Sequence, residues 1–200
     1  MNGLYDAKLD GAPALAITGM PFHDAIGTFT QQDVETDKLF MDVALYNQRV
    51  MGKAHVEGVA DLACRTALAY RGVSHIAMPV DLQEQAADRR SKRGVPEHDK
   101  EILSRSARMP DEADLRRAAE VLNAGKKVAI LADQGALNAS AELERVAELL
   151  AGPIIKPLLG KATVPDDSPY TTGPIGLLGS KPSQDALENR DTLLIVGSSP

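Results

Sequence analysis

Short apolar runs alternate with helical spacing along most of the chain. Residues 14–19 (ALAITG) are an apolar run closed by a glycine, which predicts a buried strand. Residues 3–10 before it predict the last turns of a helix, ended by Gly11 and Pro13. Residues 21–37 are polar and predict a loop, and 39–50 predict a helix. In residues 59–70, Val59, Leu62, Ala63, Ala67 and Leu68 recur at helical intervals. Arg71-Gly72 caps that helix, and residues 74–78 (SHIAM) predict a strand ending in Pro79-Val80-Asp81-Leu82.

Residues 83–109 are charged and poor in apolar periodicity, the pattern of a linker with little core. The rhythm then resumes. Asp111 is a predicted N-cap of a helix whose inward face is Leu115, Ala118, Ala119 and Leu122, with Gly125 at its end. Residues 128–131 predict a strand and 139–150 a helix facing inward through Leu143, Val146, Ala147 and Leu150. A strand at 153–155, a glycine-rich loop, a helix near 183–187 and a strand at 192–196 follow. This alternation predicts an α/β fold: two parallel-sheet, doubly wound, Rossmann-like units, both incomplete, spanning 1–82 and 110–200.

Composition narrows the function. The chain has 200 residues, 44% of them hydrophobic and 25% charged, as in soluble globular proteins. A net charge of −6, mixed along the sequence, and 4% aromatic residues without tryptophan offer nothing to nucleic acid or an anionic membrane. No run reaches the roughly 18 apolar residues of a membrane span, and no signal peptide opens the chain, so a cytoplasmic location is expected. The single cysteine, Cys64, excludes an internal disulfide framework and is expected to be a buried core residue.

Candidate chemistry concentrates in residues 152–179 (GPIIKPLLGKATVPDDSPYTTGPIGLLG). The glycines Gly173, Gly176 and Gly179, three apart, suit a backbone close to a flat or phosphorylated ligand at a helix start, or a surface loop with packing glycines. Gly160-Lys161 is not a phosphate-binding P-loop, since Ile155 and Ala162 stand where that motif needs glycine and a hydroxyl. The histidines His23, His55, His75 and His98 are scattered and suggest no zinc site, and His75 is expected to be a core or sheet-surface residue.

Several stretches resemble the thiamine diphosphate-dependent enzymes of the pyruvate oxidase and acetolactate synthase type. Residues 2–10 (NGLYDAKLD), 13–19 (PALAITG) and 71–83, from Arg71-Gly72 to Pro79-Val80-Asp81-Leu82-Gln83, resemble the later part of that family's pyrimidine-binding domain. Residues 158–161 (LLGK), Pro169-Tyr170, 173–179 (GPIGLLG) and Asp191-Thr192-Leu193 resemble its central domain. The resemblance implies decarboxylation of a 2-keto acid, pyruvate first, on thiamine diphosphate with Mg²⁺, and transfer of electrons to FAD held by the central domain. It places Gln31 and Gln32 on a substrate-side loop, with Gln31 where the family has an aromatic residue. It places FAD against Gln134, Gly135 and Ala136, against Gly160 and Lys161, against Thr172, Gly173, Gly176, Leu177, Leu178 and Gly179, and against Gly197. The family's activating glutamate is expected upstream of this chain and its metal-binding motif downstream, so no metal ligand is assigned here and the chain alone is expected to be inactive. The family also implies a homo-oligomer, a homotetramer.

Two other readings stand beside this one. The same family includes acetolactate synthases, carboligases in which FAD is structural. A non-catalytic α/β binding or assembly module would keep the fold without the cofactor chemistry. Ala132 and Asp133, in a turn where the family has glycines, are expected to weaken flavin binding by bulk and like charge.

Overall fold

The computed structural model describes residues 1–86 and 109–198, so most of the predicted linker, residues 87–108, lies outside the described residues. The chain divides into two units, residues 1–107 and 108–200. The first contains α1 (Asn2–Leu9), β1 (Ala14–Met20), α2 (Thr36–Leu39), β2 (Ala44–Arg49), α3 (Val56–Tyr70), β3 (Val73–Pro79) and α4 (Val80–Gln83). Its sheet runs β1-β3-β2, all parallel. The central strand β3 is buried along nearly its whole length, as a strand flanked by two others must be.

Alternation along β3 divides the core between the two faces of the sheet. Ile76 meets Val59 and Ala63 of α3 and Val50. Val73 points the other way, to Phe40, Val43, Leu4 and Ala7. On that second face lies His75, fully buried, its ring stacked on Phe40 with centroids 3.9 Å apart. Its Nδ1 is 2.8 Å from Asn47 Oδ1, and its Nε2 is 2.8 Å from Thr18 Oγ1. Because Asn47 gives its amide N–H to the Asp37 carbonyl, its oxygen faces the ring. Nδ1 therefore donates, and Nε2 accepts from the Thr18 hydroxyl. The neutral imidazole thus joins all three strands side to side.

The second unit contains α5 (Glu112–Ala124), β4 (Val128–Ala132), α6 (Ser140–Leu150), β5 (Ile154–Lys156), β6 (Thr171–Pro174), α7 (Lys181–Glu188) and β7 (Thr192–Val196). Its parallel sheet is ordered β6-β5-β4-β7. Ile130 and Ile154 pack with Leu143 and Ala147 of α6 and with Val164 in one cluster. Each such aliphatic side chain contributes about 1.5–3 kcal/mol when removed from water. At the amino end, both oxygens of Asp191 accept from the backbone N–H groups of Lys126 and Lys127 at 3.0–3.1 Å, fixing the start of β4 beside β7. Both α3 and α6 end on a left-handed residue, Arg71 (φ 52°) and Ala151 (φ 48°). The amides of Gly72 and Gly152 then close back on the Ala67 and Ala147 carbonyls at 3.1 Å.

Several expectations need correction. Residues 39–50 are not a helix: α2 is one turn, and β2 takes the rest. The spacing of Phe40, Val43 and Val50 suited a helix, but β3 has a second edge whose backbone groups need a partner, and Asn47 completes the His75 contact from there. β6 lies in what reads as loop; its ladder to β5 selects the strand, not its composition. Leu62 and Leu68 are each 49% exposed, and Cys64 is exposed, because only the Val59–Ala63–Ala67 stripe meets the sheet. The helix α5 has its Asp111 cap, which accepts from the Ala113 N–H, but buries no residue, and Leu115 is 52% exposed.

Burial holds the His75 pKa below its ordinary 6.5, against a smaller opposing pull from Asp37. The unfolded chain then binds this proton more readily than the folded one, so stability falls as pH drops below about 6.5. Thermal unfolding at pH 7.5 and 5.5 should show a larger loss for the wild type than for His75→Gln. Equal losses would mean that His75 does not titrate on unfolding.

Candidate functional site

In a parallel sheet, ligands gather beyond the carboxyl ends of the strands, above all where the winding reverses. In the second unit that place is between β4 and β7, since the chain moves outward from β4 to β5 and β6 and returns to β7 beside β4. The turn 134–136 after β4, the loop after β5 and Gly197 after β7 converge there.

The convergence is a contact of backbone with backbone. A Cβ on Gly135 would lie 2.6 Å from Gly197 Cα, and one on Gly160 would lie 2.2 Å from the Ala132 carbonyl oxygen. Gly197 is left-handed at φ 69°, and a Cβ there would lie 2.4 Å from the Ala136 nitrogen. The donors are spent inside this knot. The Gly135 N–H bonds the Gly197 carbonyl at 2.9 Å, the Ala136 N–H bonds the Asp133 carbonyl at 2.8 Å, and the Gln134 N–H bonds Asp133 Oδ1 at 2.7 Å. The Gly160 and Lys161 N–H groups close on the carbonyls of Pro157 and Leu158. Asp133 Oδ2 accepts from the Ser198 hydroxyl at 2.9 Å, so this carboxylate serves the turn.

The open ground lies next to it, over β5 and β6. A cavity of about 470 Å³ is lined by Lys156, Leu158, Lys161, Asp166, Thr172, Gly173 and Leu178, among others. The glycine turn forms its rim. Gly173 (φ 99°) and Gly176 (φ 105°) take conformations that L side chains rarely adopt, and a Cβ on Gly179 would come within 2.8 Å of the Gly176 carbonyl. All three glycines are thus explained by the turn itself. That turn leaves the N–H groups of Gly176, Leu177 and Leu178 without a protein acceptor among the described residues. It also leaves the Leu177 and Leu178 side chains 102% and 81% exposed. The Thr172 hydroxyl lies 2.9 Å from the Ser183 hydroxyl, and its carbonyl accepts from Ser180, the N-cap of α7, so Thr172 contributes shape rather than a free donor.

Lys156 is the residue that sequence reasoning missed. It is 1% exposed, and its ammonium donates to the Val164 carbonyl at 3.0 Å and to Asp166 Oδ1 at 2.6 Å. That hydrogen bond and the charge beside it hold the Asp166 carboxyl below its ordinary 3.8. A lysine closing the strand Ile154-Ile155-Lys156 carries no signal of burial; only the fold of the 157–166 loop over it supplies the partners.

Among the predicted residues, the structure brings Lys161, Thr172, Gly173 and Leu178 to one cavity, with Gly176, Leu177 and Gly179 on its turn. Gln134, Gly135, Ala136, Gly160 and Gly197 build the neighbouring knot. Gln31 and Gln32 belong to the first unit, on an exposed loop where Phe29 (φ 61°) and Gln32 (φ 63°) are both left-handed. Asp33 pins that loop by accepting from the N–H groups of Gly27 and Phe29 at 2.9 and 3.1 Å. At the carboxyl end of the first sheet, His23 and Asp81 form a pair that their separation in sequence concealed. Among the described residues no group of three or more His, Cys, Asp or Glu side chains is placed to hold a metal ion, and no helix is long and apolar enough to cross a membrane.

Comparison with known proteins adds to this geometry. Residues 115–200 match the family described as thiamine pyrophosphate enzyme, central domain. The chain is 34% identical along its whole length to a putative thiamine pyrophosphate-containing protein, YdaP, of Bacillus subtilis, covering 34% of it. It is 31% identical over 99% of its length to pyruvate oxidase of Lactiplantibacillus plantarum, covering 32% of that enzyme. It is 28% identical over 98% of its length to a probable acetolactate synthase large subunit of Methanococcus aeolicus, covering 33%. The chain spans about a third of the length of each of these relatives.

Two stability tests follow. Gly160→Ala should cost about 3 kcal/mol, the upper end for overpacking, because the opposing atoms are backbone and cannot turn aside; urea unfolding checks this, and an unchanged midpoint would dissolve the knot. Removing one partner of a buried charge costs more than replacing the charge with an apolar side chain. Lys156→Met should therefore lower the melting temperature less than Asp166→Asn. The pair's contribution should persist above pH 3.8 and fade as pH falls toward the depressed Asp166 value.

Proposed function

We propose that this chain, which belongs with the thiamine pyrophosphate-dependent enzymes, serves a 2-keto acid oxidase or dehydrogenase acting on pyruvate, and that its second unit holds FAD. One observation carries the flavin reading: the cavity over β5 and β6 combines an exposed cation, unbonded N–H groups and exposed leucines. A dinucleotide has matching parts. Its diphosphate suits Lys161 and the amides of Gly176, Leu177 and Leu178, since backbone N–H groups in a turn with positive φ make an anion-binding concavity. Its flat ring system suits the apolar faces of Leu158 and Leu178. Bound there, FAD would supply an electron acceptor. The chain's own residues would bind and orient it: Lys161 by charge, the turn by its amides, and the buried Lys156 by holding the 157–166 loop in place.

The FAD contacts expected at Gln134, Gly135, Ala136, Gly160 and Gly197 become structural in this proposal, because close backbone packing and internal hydrogen bonds take up these turns. Asp133 keeps its charge but lies in the turn, with both oxygens accepting hydrogen bonds there, and does not line the cavity. The described residues offer no metal-holding cluster, and we assign no thiamine diphosphate or Mg²⁺ ligand to this chain. Gln31 and Gln32, exposed on a strained loop, are the proposed substrate-side residues. The match to acetolactate synthase, over 200 residues against 203 for pyruvate oxidase, supports a carboligase as the second reading. In either case the partner is a small 2-keto acid, and the working state is a homo-oligomer.

Titration of FAD into the purified chain, followed by flavin fluorescence with circular dichroism on the same sample, tests the reading. Saturable quenching by a folded chain is the expected result, with Lys161→Ala weakening binding about tenfold, the loss of one charged contact of roughly 1.4 kcal/mol. A folded chain that leaves FAD fluorescence unchanged would refute the flavin site and leave a flavin-free or non-catalytic α/β module.

A further inference from the structure

The cavity over β5 and β6 has three charged residues in its lining, Lys156, Lys161 and Asp166. The function proposed above uses one of them, Lys161, as a direct contact for the ligand. Lys156 has capacity to spare. An ammonium carries three N–H donors. Among the described residues two acceptors meet it, the Val164 carbonyl at 3.0 Å and Asp166 Oδ1 at 2.6 Å. The Lys156 carbonyl meanwhile accepts from the Ile175 N–H at 3.0 Å, where the glycine turn begins. One residue thus ties both the turn and the 157–166 loop to the end of β5.

The two halves of this ion pair differ in how they can move. The Lys156 side chain is 1% exposed and the Asp166 side chain 71%. A buried ammonium that loses its carboxylate is left uncompensated, which is strongly destabilising. An exposed carboxylate that leaves its partner regains water, so the loss on its side is small. Lys156 is therefore fixed while its counter-ion is replaceable, and only another anion can replace it. The position is also shared by a second cation. The hydrogen bond and charge of Lys156 hold the Asp166 carboxyl below its ordinary value, and the charge of Lys161 acts in the same direction. If Asp166 leaves, the Val164 carbonyl still holds the ammonium. The loop stays anchored through the buried Thr163, whose hydroxyl donates to the Gly160 carbonyl at 2.8 Å.

We propose that Lys156 and Asp166 form an exchangeable ion pair: an incoming diphosphate takes the place of the Asp166 carboxylate on the Lys156 ammonium, and the acid turns out into water. The inference rests on the reading that a diphosphate occupies this cavity. It makes Asp166 an internal competitor for the anion and Lys156 a second cationic contact beside Lys161. It also makes the cavity selective for charge, since a neutral ligand has nothing to offer Lys156 in exchange and leaves the pair closed.

The test measures binding of FAD, by fluorescence, and of inorganic pyrophosphate, by calorimetry, to the full chain and its variants, with circular dichroism to show that each is folded. Asp166→Asn should lower the melting temperature of the free chain yet bind both ligands about tenfold more tightly, because a neutral amide no longer competes for the ammonium. Asp166→Ser, a second neutral replacement, should do the same, so the result does not hang on one variant folding. Lys156→Met should weaken both ligands about tenfold. A purely structural pair gives the opposite sign at Asp166, since losing the contact would loosen the loop that carries Lys161 and weaken binding. Neutral variants of Asp166 that bind no more tightly than the wild type, or Lys156→Met binding as tightly, would overturn the exchange. FAD bound equally by the wild type and all variants overturns this inference alone. Pyrophosphate following the expected pattern while FAD fluorescence stays unchanged overturns the flavin reading alone, and binding of neither ligand overturns both.

Discussion

Backbone in contact with backbone at the carboxyl edge of the second sheet governs what the rest of that unit can do. Gly135, Gly160 and Gly197 lack the atom that would keep the loops after β4, β5 and β7 apart. Once the loops touch, the N–H groups of the first turn after β4 bond inside the knot, and the Asp133 carboxylate is consumed with them. Amides without a protein acceptor among the described residues are found instead one strand outward, at the glycine turn after β6. There the positive φ values of Gly173 and Gly176 leave three amides and two leucines facing solvent. The same residue type closes one loop cluster and opens the next.

A buried charge sits under this open turn. Burying the Lys156 ammonium carries a desolvation cost that the Val164 carbonyl and Asp166 offset. Because Asp166 is itself 71% exposed, the pair spans the boundary between core and solvent. It fixes the 157–166 loop, and with it Lys161, over the end of β5.

The first unit shows how placement decides what an imidazole does. His75, on the central strand, has both ring nitrogens occupied by Asn47 and Thr18 and a ring stacked on Phe40. Burial keeps it neutral and structural. His23, on the loop after β1, has one nitrogen held by Asp81 and the other side of the ring in water. Neither role follows from local sequence, since the partners of His75 come from two other strands and the partner of His23 lies 58 residues away.

The parallel α/β class, β1, β3, β4, β5 and β7, and the helices α3, α5, α6 and α7 were legible in the sequence, because each depends on apolar spacing within a few residues. So were the glycine turn and the resemblance of residues 158–161 and 173–179 to the central domain of the thiamine pyrophosphate enzymes. Tertiary structure alone decided that residues 44–49 are a strand and that 171–174 form an edge strand, because unpaired backbone on β3 and β5 selected them over their local preferences. It also decided which glycines pack and which shape the open turn after β6. Burial of Lys156 and the pairing of His23 with Asp81 belong to the same class of outcome, since desolvation and hydrogen bonding act between residues that only the folded chain brings together.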